Sequence, residues 1–294
     1  MTDLLISATT IPSTSIPGWL EPFSLPFMRN ALMVSALVGG VCGLLSCYMT
    51  LKGWALMGDA VSHAVMPGVV VSYAVGLPFS VGAFAFGVGS VALIGFVKQK
   101  SRLKEDTIIG LVFTGFFALG LVLVTKIRSN QDLMHILFGS SLGLSTNDMW
   151  QTLIISGIVV AILLVFRRDL MLFCFDPTHA RSIGINTGFL HYLLLSVLSL
   201  AAVAGLQTVG IILVVAMLIT PGATAYLLTD RFDRMTYLAI ISSTISCVLG
   251  WYLCFLLDIP PGGCIVLVQT AIFLLAFLFA PRYGILKVQR SLAP

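Results

Sequence analysis

Trp54-Ala55-Leu56-Met57-Gly58-Asp59-Ala60-Val61-Ser62-His63-Ala64-Val65-Met66-Pro67-Gly68-Val69-Val70-Val71-Ser72-Tyr73-Ala74-Val75-Gly76 has the length and apolarity of a membrane-spanning helix, yet it carries a carboxylate and an imidazole. A charged Asp at the bilayer centre costs roughly 2.5 to 3.5 kcal/mol on insertion scales, so an ionisable group at that depth marks a functional site by default. Asp59 and His63 stand four residues apart and share one helix face. The stretch sets two expectations: a helical membrane fold, and a polar site inside it.

The rest of the chain is of the same kind. Of its 294 residues 58% are hydrophobic and 10% charged, and its mean hydropathy of +1.05 describes an all-α, polytopic membrane helix bundle without a sizeable soluble domain. The formal net charge is +4, but no basic run interleaved with aromatics occurs, which argues against nucleic acid and leaves membrane lipid as the surrounding medium. Cys42, Cys47, Cys174, Cys247, Cys254 and Cys264 are scattered and form no C-x-x-C pair, so they read as buried free thiols. The first 26 residues hold Pro12, Pro17, Pro22 and Pro26 without a basic n-region, unlike a cleavable signal peptide. They read as a polar tail lying at the interface around Trp19 and Phe23.

Apolar runs fall near 28–50, 54–76, 79–97, 107–125, 149–166, 188–206, 209–228, 235–257 and 263–280, each long enough for the ~30 Å hydrocarbon core. That is eight or nine spans, because only Gln207-Thr208 separates the sixth run from the seventh and one broken helix is an alternative. With the N-terminus outside, Lys52, Lys98, Lys100, Arg102, Lys104, Arg167, Arg168, Arg181, Arg231, Arg234, Arg282, Lys287 and Arg290 fall in cytoplasmic loops. Only Arg29, Lys126 and Arg128 of the 16 basic residues are then outside, as the positive-inside rule requires. The expected organisation is an extracytoplasmic tail over 1–26, a transmembrane permease domain over 27–281 and a cytoplasmic tail over 282–294. Gly39-x-x-x-Gly43 allows close helix packing. Leu133 to Gly139 reads as a short helix on the outer face, and Asp258-Ile259-Pro260-Pro261-Gly262-Gly263 as a rigid outer turn.

Within the span, Ser62 and Met66 border the face of Asp59 and His63. Pro67 removes the helical bond to the carbonyl of His63, and Gly68 eases a local break there, so that carbonyl is a candidate third oxygen donor. If Trp54 marks the inner interface, a rise of ~1.5 Å per residue places Asp59 about 7 Å and His63 about 13 Å into the membrane. A carboxylate, a neutral imidazole and a carbonyl suit a first-row divalent cation, but two side chains are too few for a closed structural site. Such a deficit fits conduction, in which an ion must bind well enough to enter and weakly enough to leave. Two other readings stay open: Asp59 and His63 satisfying each other without an ion, and a proton relay. His135, His179 and His191 read as surface, solvated and interfacial residues respectively.

Thr220-Pro221-Gly222 interrupts the run over 211–228 and is expected to bend it near the membrane surface, continuing as a short amphipathic piece through Asp230-Arg231-Phe232-Asp233-Arg234. That piece is either a docking element for a soluble partner or a plain basic loop. Phe173 to Asn186 forms the other inner segment, with Asp176-Pro177 as a helix start and Gly184 as its stop. None of the six lysines follows a glycine, so no G-x-x-x-x-G-K-[ST] phosphate loop exists, and H-E-x-x-H is also absent. The chain is therefore not its own P-loop ATPase.

Gly58-Asp59-Ala60-x-Ser62-His63-Ala64-Val65-Met66-Pro67-Gly68, Leu137-Phe138-Gly139-Ser140, Asp176-x-x-x-Ala180-x-x-x-Gly184 and Ile211 to Leu228 with Thr220-Pro221-Gly222-Ala223-Thr224-Ala225 resemble the permease subunits of bacterial metal-ion ABC importers. The resemblance runs from about Phe27 to Ala280 and is to the manganese, zinc and iron uptake family, closest in wording to its manganese members. It implies an importer permease similar in fold to the vitamin B12 and siderophore permeases, in the bacterial inner membrane, with no resident cofactor and no enzymatic activity of its own. It also implies a second copy of the permease, two ABC ATPase subunits that hold the ATP, and an extracytoplasmic metal-binding protein. By matching positions, Asp59 and His63 line the translocation path for Mn²⁺, or for Zn²⁺ or Fe²⁺, with Ser62, Met66 and Pro67 beside them. Thr220, Pro221, Gly222, Ala223, Asp230, Arg231, Asp233 and Arg234 are then the ATPase-coupling segment, supported by Asp176, Ala180 and Gly184.

A secondary, proton-coupled cation carrier is the competing reading, since Pro67 and Pro221 fall in opposite halves as in inverted-repeat carriers. No apolar run of the later half, however, holds a second Asp and His pair. A membrane-embedded metalloenzyme would need more fixed ligands than the chain offers.

Overall fold

The computed structural model describes residues 26–126, 146–257 and 259–280. It consists of eleven α-helices, with no strand among the described residues. They are α1 (Pro26–Lys52), α2 (Ala55–Val75), α3 (Phe79–Lys100), α4 (Glu105–Lys126), α5 (Thr146–Val165), α6 (Arg167–Phe175), α7 (Pro177–Ser182), α8 (Thr187–Val209), α9 (Ile211–Leu228), α10 (Phe232–Leu257) and α11 (Pro261–Phe279). Every apolar run is helical. Seven helices are long and apolar enough to cross a membrane, and α5 with α6, bent by 70° at Phe166, makes an eighth. The apolar part of α9, Leu213–Leu228, is shorter. The expected tails, the outer segment holding Leu133 to Ser140 with His135, and Asp258 lie outside the described residues; the rest of the 258–263 turn is present, with α11 starting at Pro261.

Local chemistry sets the helix ends. Gly53 (φ +70°) and Gly76 (φ +78°) take the left-handed conformation that other residues avoid, and so turn the chain out of α1 and α2. The break between α8 and α9 falls at Gly210 (φ +87°, ψ 162°), three residues beyond Gln207. Asp176 caps α7, its Oδ1 accepting from the backbone N–H of Thr178 and His179 at 2.9 Å each, and Pro177 opens the helix. Asn186 caps α8 in the same way through the N–H of Phe189.

In lipid, helices associate through close packing rather than hydrophobic transfer, so small residues decide where they cross. α1, α2 and α8 are the most buried spans; α4, α10 and α11 keep most of their surface outward. α1 packs most closely on α10 and α9, and α2 on α3 and α4. Gly39 and Gly43 form the α1/α10 crossing: a Cβ at Gly43 would stand 2.8 Å from the carbonyl oxygen of Ala239, and Ser243 donates its hydroxyl to the carbonyl of Gly39 at 2.7 Å. The small-residue spacing is thus ordinary intramolecular packing. All six cysteines are free thiols and five of them are buried.

Two expected breaks are absent. α2 runs unbroken through Pro67-Gly68, and Gly68 instead lets its backbone touch that of Gly82 on α3. α9 runs unbroken through Thr220-Pro221-Gly222, because Gly222 is pressed against Ser46 and Thr50 of α1; a Cβ there would stand 2.5 Å from Thr50 Oγ1. The expected short amphipathic piece is likewise not formed: α9 ends at Leu228 and the long helix α10 begins at Phe232. A proline costs its helix one donor, and packing on both sides can keep the helix continuous through the loss.

Candidate metal site

Asp59 and His63 lie on the face of α2 turned toward α4. The His63 Nε2 is 3.3 Å from Asp59 Oδ1, and their side chains are 21% and 36% exposed respectively. The imidazole stands edge-on to Phe113 and Phe117, with ring centroids 5.0 and 5.3 Å away, and these two phenyl rings stack on each other. His63 Nδ1 is buried and has no hydrogen-bond partner among the described residues, so Nε2 is the nitrogen left open beside the carboxylate. One turn on, Pro67 packs against α4, where a Cβ at Gly120 would stand 3.3 Å from Pro67 Cδ. His63 therefore meets Phe113 and Phe117 while Pro67 meets Gly120, so α2 and α4 run in the same direction.

The neighbours predicted to line the path are placed differently from one another. Ser62 is buried and donates to the carbonyl of Gly58 at 2.8 Å, within its own helix. Met66 is buried in a small apolar cluster with Val65, Val69, Ala83, Val203 and Leu206, and Pro67 is buried too. Only Asp59 and His63 present donor atoms outward. Among the described residues no group of three or more His, Cys, Asp and Glu gathers anywhere, so these two are not joined by a third such ligand from the same chain.

Their spacing suits one ion. With metal–ligand bonds of about 2.1 Å, adjacent ligands of a tetrahedral or octahedral ion stand about 3.0 to 3.4 Å apart. The 3.3 Å between Nε2 and Oδ1 falls within that range without any movement of α2.

Trp54, at the start of α2, packs against other helices of the bundle. It is buried, edge-on to His191 with centroids 5.0 Å apart, in a cluster where the Lys52 ammonium sits 3.8 Å from the Phe173 ring centroid and donates to the Phe173 carbonyl. His191 accordingly packs inside the bundle end, while His179 is exposed on α7. Of the predicted coupling segment, Pro221 and Gly222 are buried, Thr220 and Ala223 are half-buried, and Asp230, Arg231, Asp233 and Arg234 are exposed around the α9–α10 turn. Arg167 at the α5–α6 bend pairs with Asp233. α7 stands at the same end, with Ala180 buried beneath it and Ile183 and Gly184 exposed. Phe113 and Phe117 carried no sequence signal of their own, because a phenylalanine in an apolar helix looks like any other core residue.

An all-helical bundle with seven helices, or eight with the bent pair, long and apolar enough to cross a membrane is the architecture of a multi-pass membrane protein. The comparisons give the family: the ABC 3 transport family matches residues 24–280, and the chain belongs to it. It is a multi-pass permease subunit of an ABC transport system, a transport component rather than an enzyme. Over 275 residues, 92% of this chain and 90% of the relative, it is 59% identical to the manganese transport system membrane protein MntB of Synechocystis sp.. It is 49% identical to the chelated iron transport system membrane protein YfeD of Yersinia pestis, covering 88% of this chain and 87% of the relative. Among solved structures, PsaBC from Streptococcus pneumoniae in complex with Fab superposes with a TM-score of 0.85 at 38% identity, over 92% of this chain and 98% of that one.

Proposed function

We propose that this chain carries a divalent metal ion, manganese first, through the bacterial inner membrane, with Asp59 and His63 making transient contact with the ion. The observation that carries the reading is the pair itself: two donors 3.3 Å apart, partly open, with no third His, Cys, Asp or Glu gathered around them among the described residues. A site so short of ligands holds an ion briefly. The ligand types do not select among Mn²⁺, Fe²⁺ and Zn²⁺, and Mn²⁺ sits at the weak end of the divalent affinity order. Manganese is preferred because relatives named for manganese, from Synechocystis and Listeria monocytogenes, are among the most similar; iron follows, from the Yersinia pestis and Haemophilus influenzae relatives, and zinc is the further alternative.

The remaining ligands come from a second copy of the permease across the path, or from water. The ion arrives from an extracytoplasmic binding protein, and two ATPase chains hold the ATP. The excess of basic residues in one set of loops supports an N-terminus outside and a C-terminus in the cytoplasm. In that orientation α7 and the exposed residues Asp230, Arg231, Asp233 and Arg234 form the ATPase-facing surface. Thr220 to Ala223 support it from inside α9, and Ala180 anchors α7 from below.

Replacing Asp59 or His63 by Ala should abolish metal uptake in cells while membrane insertion persists. Normal uptake by both variants would sink the reading.

A further inference from the structure

Away from the metal pair, a crevice of about 310 Å³ opens between α1, α5 and α10. Its polar lining residues all lie at one end. Tyr48 near the end of α1, Arg167 at the α5–α6 bend, and Thr236 and Tyr237 in the first turns of α10 gather there. Leu37, Val160 and Ile240 line it further along the same three helices, in each case away from that end. From Leu37 to Tyr48 the crevice follows α1 for about 16 Å at the helical rise of 1.5 Å per residue. It is therefore a slot as long as much of an acyl chain, apolar along its length and cationic at its mouth.

We infer that this crevice is a binding site for one anionic glycerophospholipid of the inner leaflet, its phosphate at Arg167 and one acyl chain lying between α1, α5 and α10. A slot lined along its length by Leu, Val and Ile offers water no partners there, so hydrocarbon fills it. The charge at the mouth sets the headgroup: basic pockets between membrane helices at the cytoplasmic side hold anionic lipid, and each Arg near the surface is worth about a fivefold preference. Arg167 has five N–H donors, and its pairing with Asp233 leaves donors for a phosphate. Arg168 and Arg234 at the same end add positive charge, against Asp169 and Asp233. Asp233, far more exposed than Arg167, competes with the phosphate for the guanidinium. The leaflet rests on the orientation proposed above, but the site is independent of the metal pair, which lies on α2.

Native mass spectrometry of the full-length chain, purified in detergent and given equal amounts of phosphatidylglycerol and phosphatidylcholine, tests the site. The wild type should retain phosphatidylglycerol over phosphatidylcholine by about fivefold. Arg167→Gln should bring that ratio near one, Arg167→Lys should keep it, and Asp233→Asn should raise it. At Gly40, which lines the slot, a Cβ would meet Thr244 Oγ1 at 3.6 Å and Ile240 Cγ2 at 3.8 Å, ordinary contact, so Gly40→Leu fits and should deplete both lipids. A change at the other inner loop, Arg102→Gln, should leave the ratio unchanged. An equal ratio in the wild type, or a fivefold preference surviving in Arg167→Gln, would overturn the proposal. A dimer that carries no lipid where the monomer carries one would also overturn it, by giving the crevice to the second copy. Metal uptake reads none of these outcomes, so failure here leaves the transport reading standing.

Discussion

Met66-Pro67-Gly68 in α2 and Thr220-Pro221-Gly222 in α9 look alike and are built alike, yet one adjoins the candidate metal site and the other is buried structure. In both, the helix continues unbroken through the proline, and the glycine after it brings the backbone against a neighbour, Gly82 on α3 in one case and Ser46 with Thr50 on α1 in the other. What differs is the preceding two turns. Four and eight residues before Pro67 stand His63 and Asp59, half open toward α4; the same steps before Pro221 reach Met217 and Leu213, both buried in the main core. The Pro-Gly pair is thus a packing device, and the chemistry is decided by which side chains the helix carries one and two turns before it.

The largest effects should split along that line. Asp59→Ala should lower metal uptake by at least about 100-fold, more than the loss of an outer-shell partner costs, while the thermal stability of the purified protein stays near wild type. Met217→Ala should do the reverse, costing about 2 to 5 kcal/mol of stability through the cavity it leaves, with uptake per folded molecule retained. Parallel uptake and thermal-unfolding measurements check both, and equal stability losses in the two variants would erase the distinction. Next, Gly222→Val should cost at least about 1 to 3 kcal/mol, because its branched side chain meets α1 backbone rather than a flexible tip. Wild-type thermal stability in that variant would show that α1 and α9 do not need their close approach.

The smallest effect separates the two prolines. Pro67→Ala supplies the missing N–H to the His63 carbonyl and withdraws it as a donor, so uptake should fall roughly two- to tenfold, the worth of one hydrogen bond, with stability unchanged or raised. Pro221→Ala should leave uptake within about twofold, since the carbonyl it satisfies belongs to buried Met217. Equal uptake in the two variants would remove the His63 carbonyl from the path.

How much of this the sequence made legible follows from how local each signal is. Nine apolar runs became nine helical stretches because span length depends on the run alone, and Asp176-Pro177 with Gly184 framed α7 because capping is a matter of adjacent residues. Asp59 and His63 stood out because charge is rare in such a helix. The Pro67 and Pro221 breaks were misread because a proline's effect depends on what packs beside it, which only the fold supplies. Phe113 and Phe117 were invisible for the same reason, as was the burial of Trp54 against His191. The bend at Phe166 has no proline or glycine to announce it.

The central claim, that Asp59 and His63 pass a metal ion driven by ATP in partner chains, is tested most directly by Mn²⁺ uptake into proteoliposomes holding the permease with its ATPase and binding protein. Wild type and His63→Ala would be compared with ATP inside, and again with an imposed proton gradient and no ATP. The account predicts uptake by wild type with ATP only, and loss of that uptake in His63→Ala with the complex still assembled. Uptake driven by the proton gradient alone, or ATP-driven uptake undiminished in His63→Ala, would contradict it.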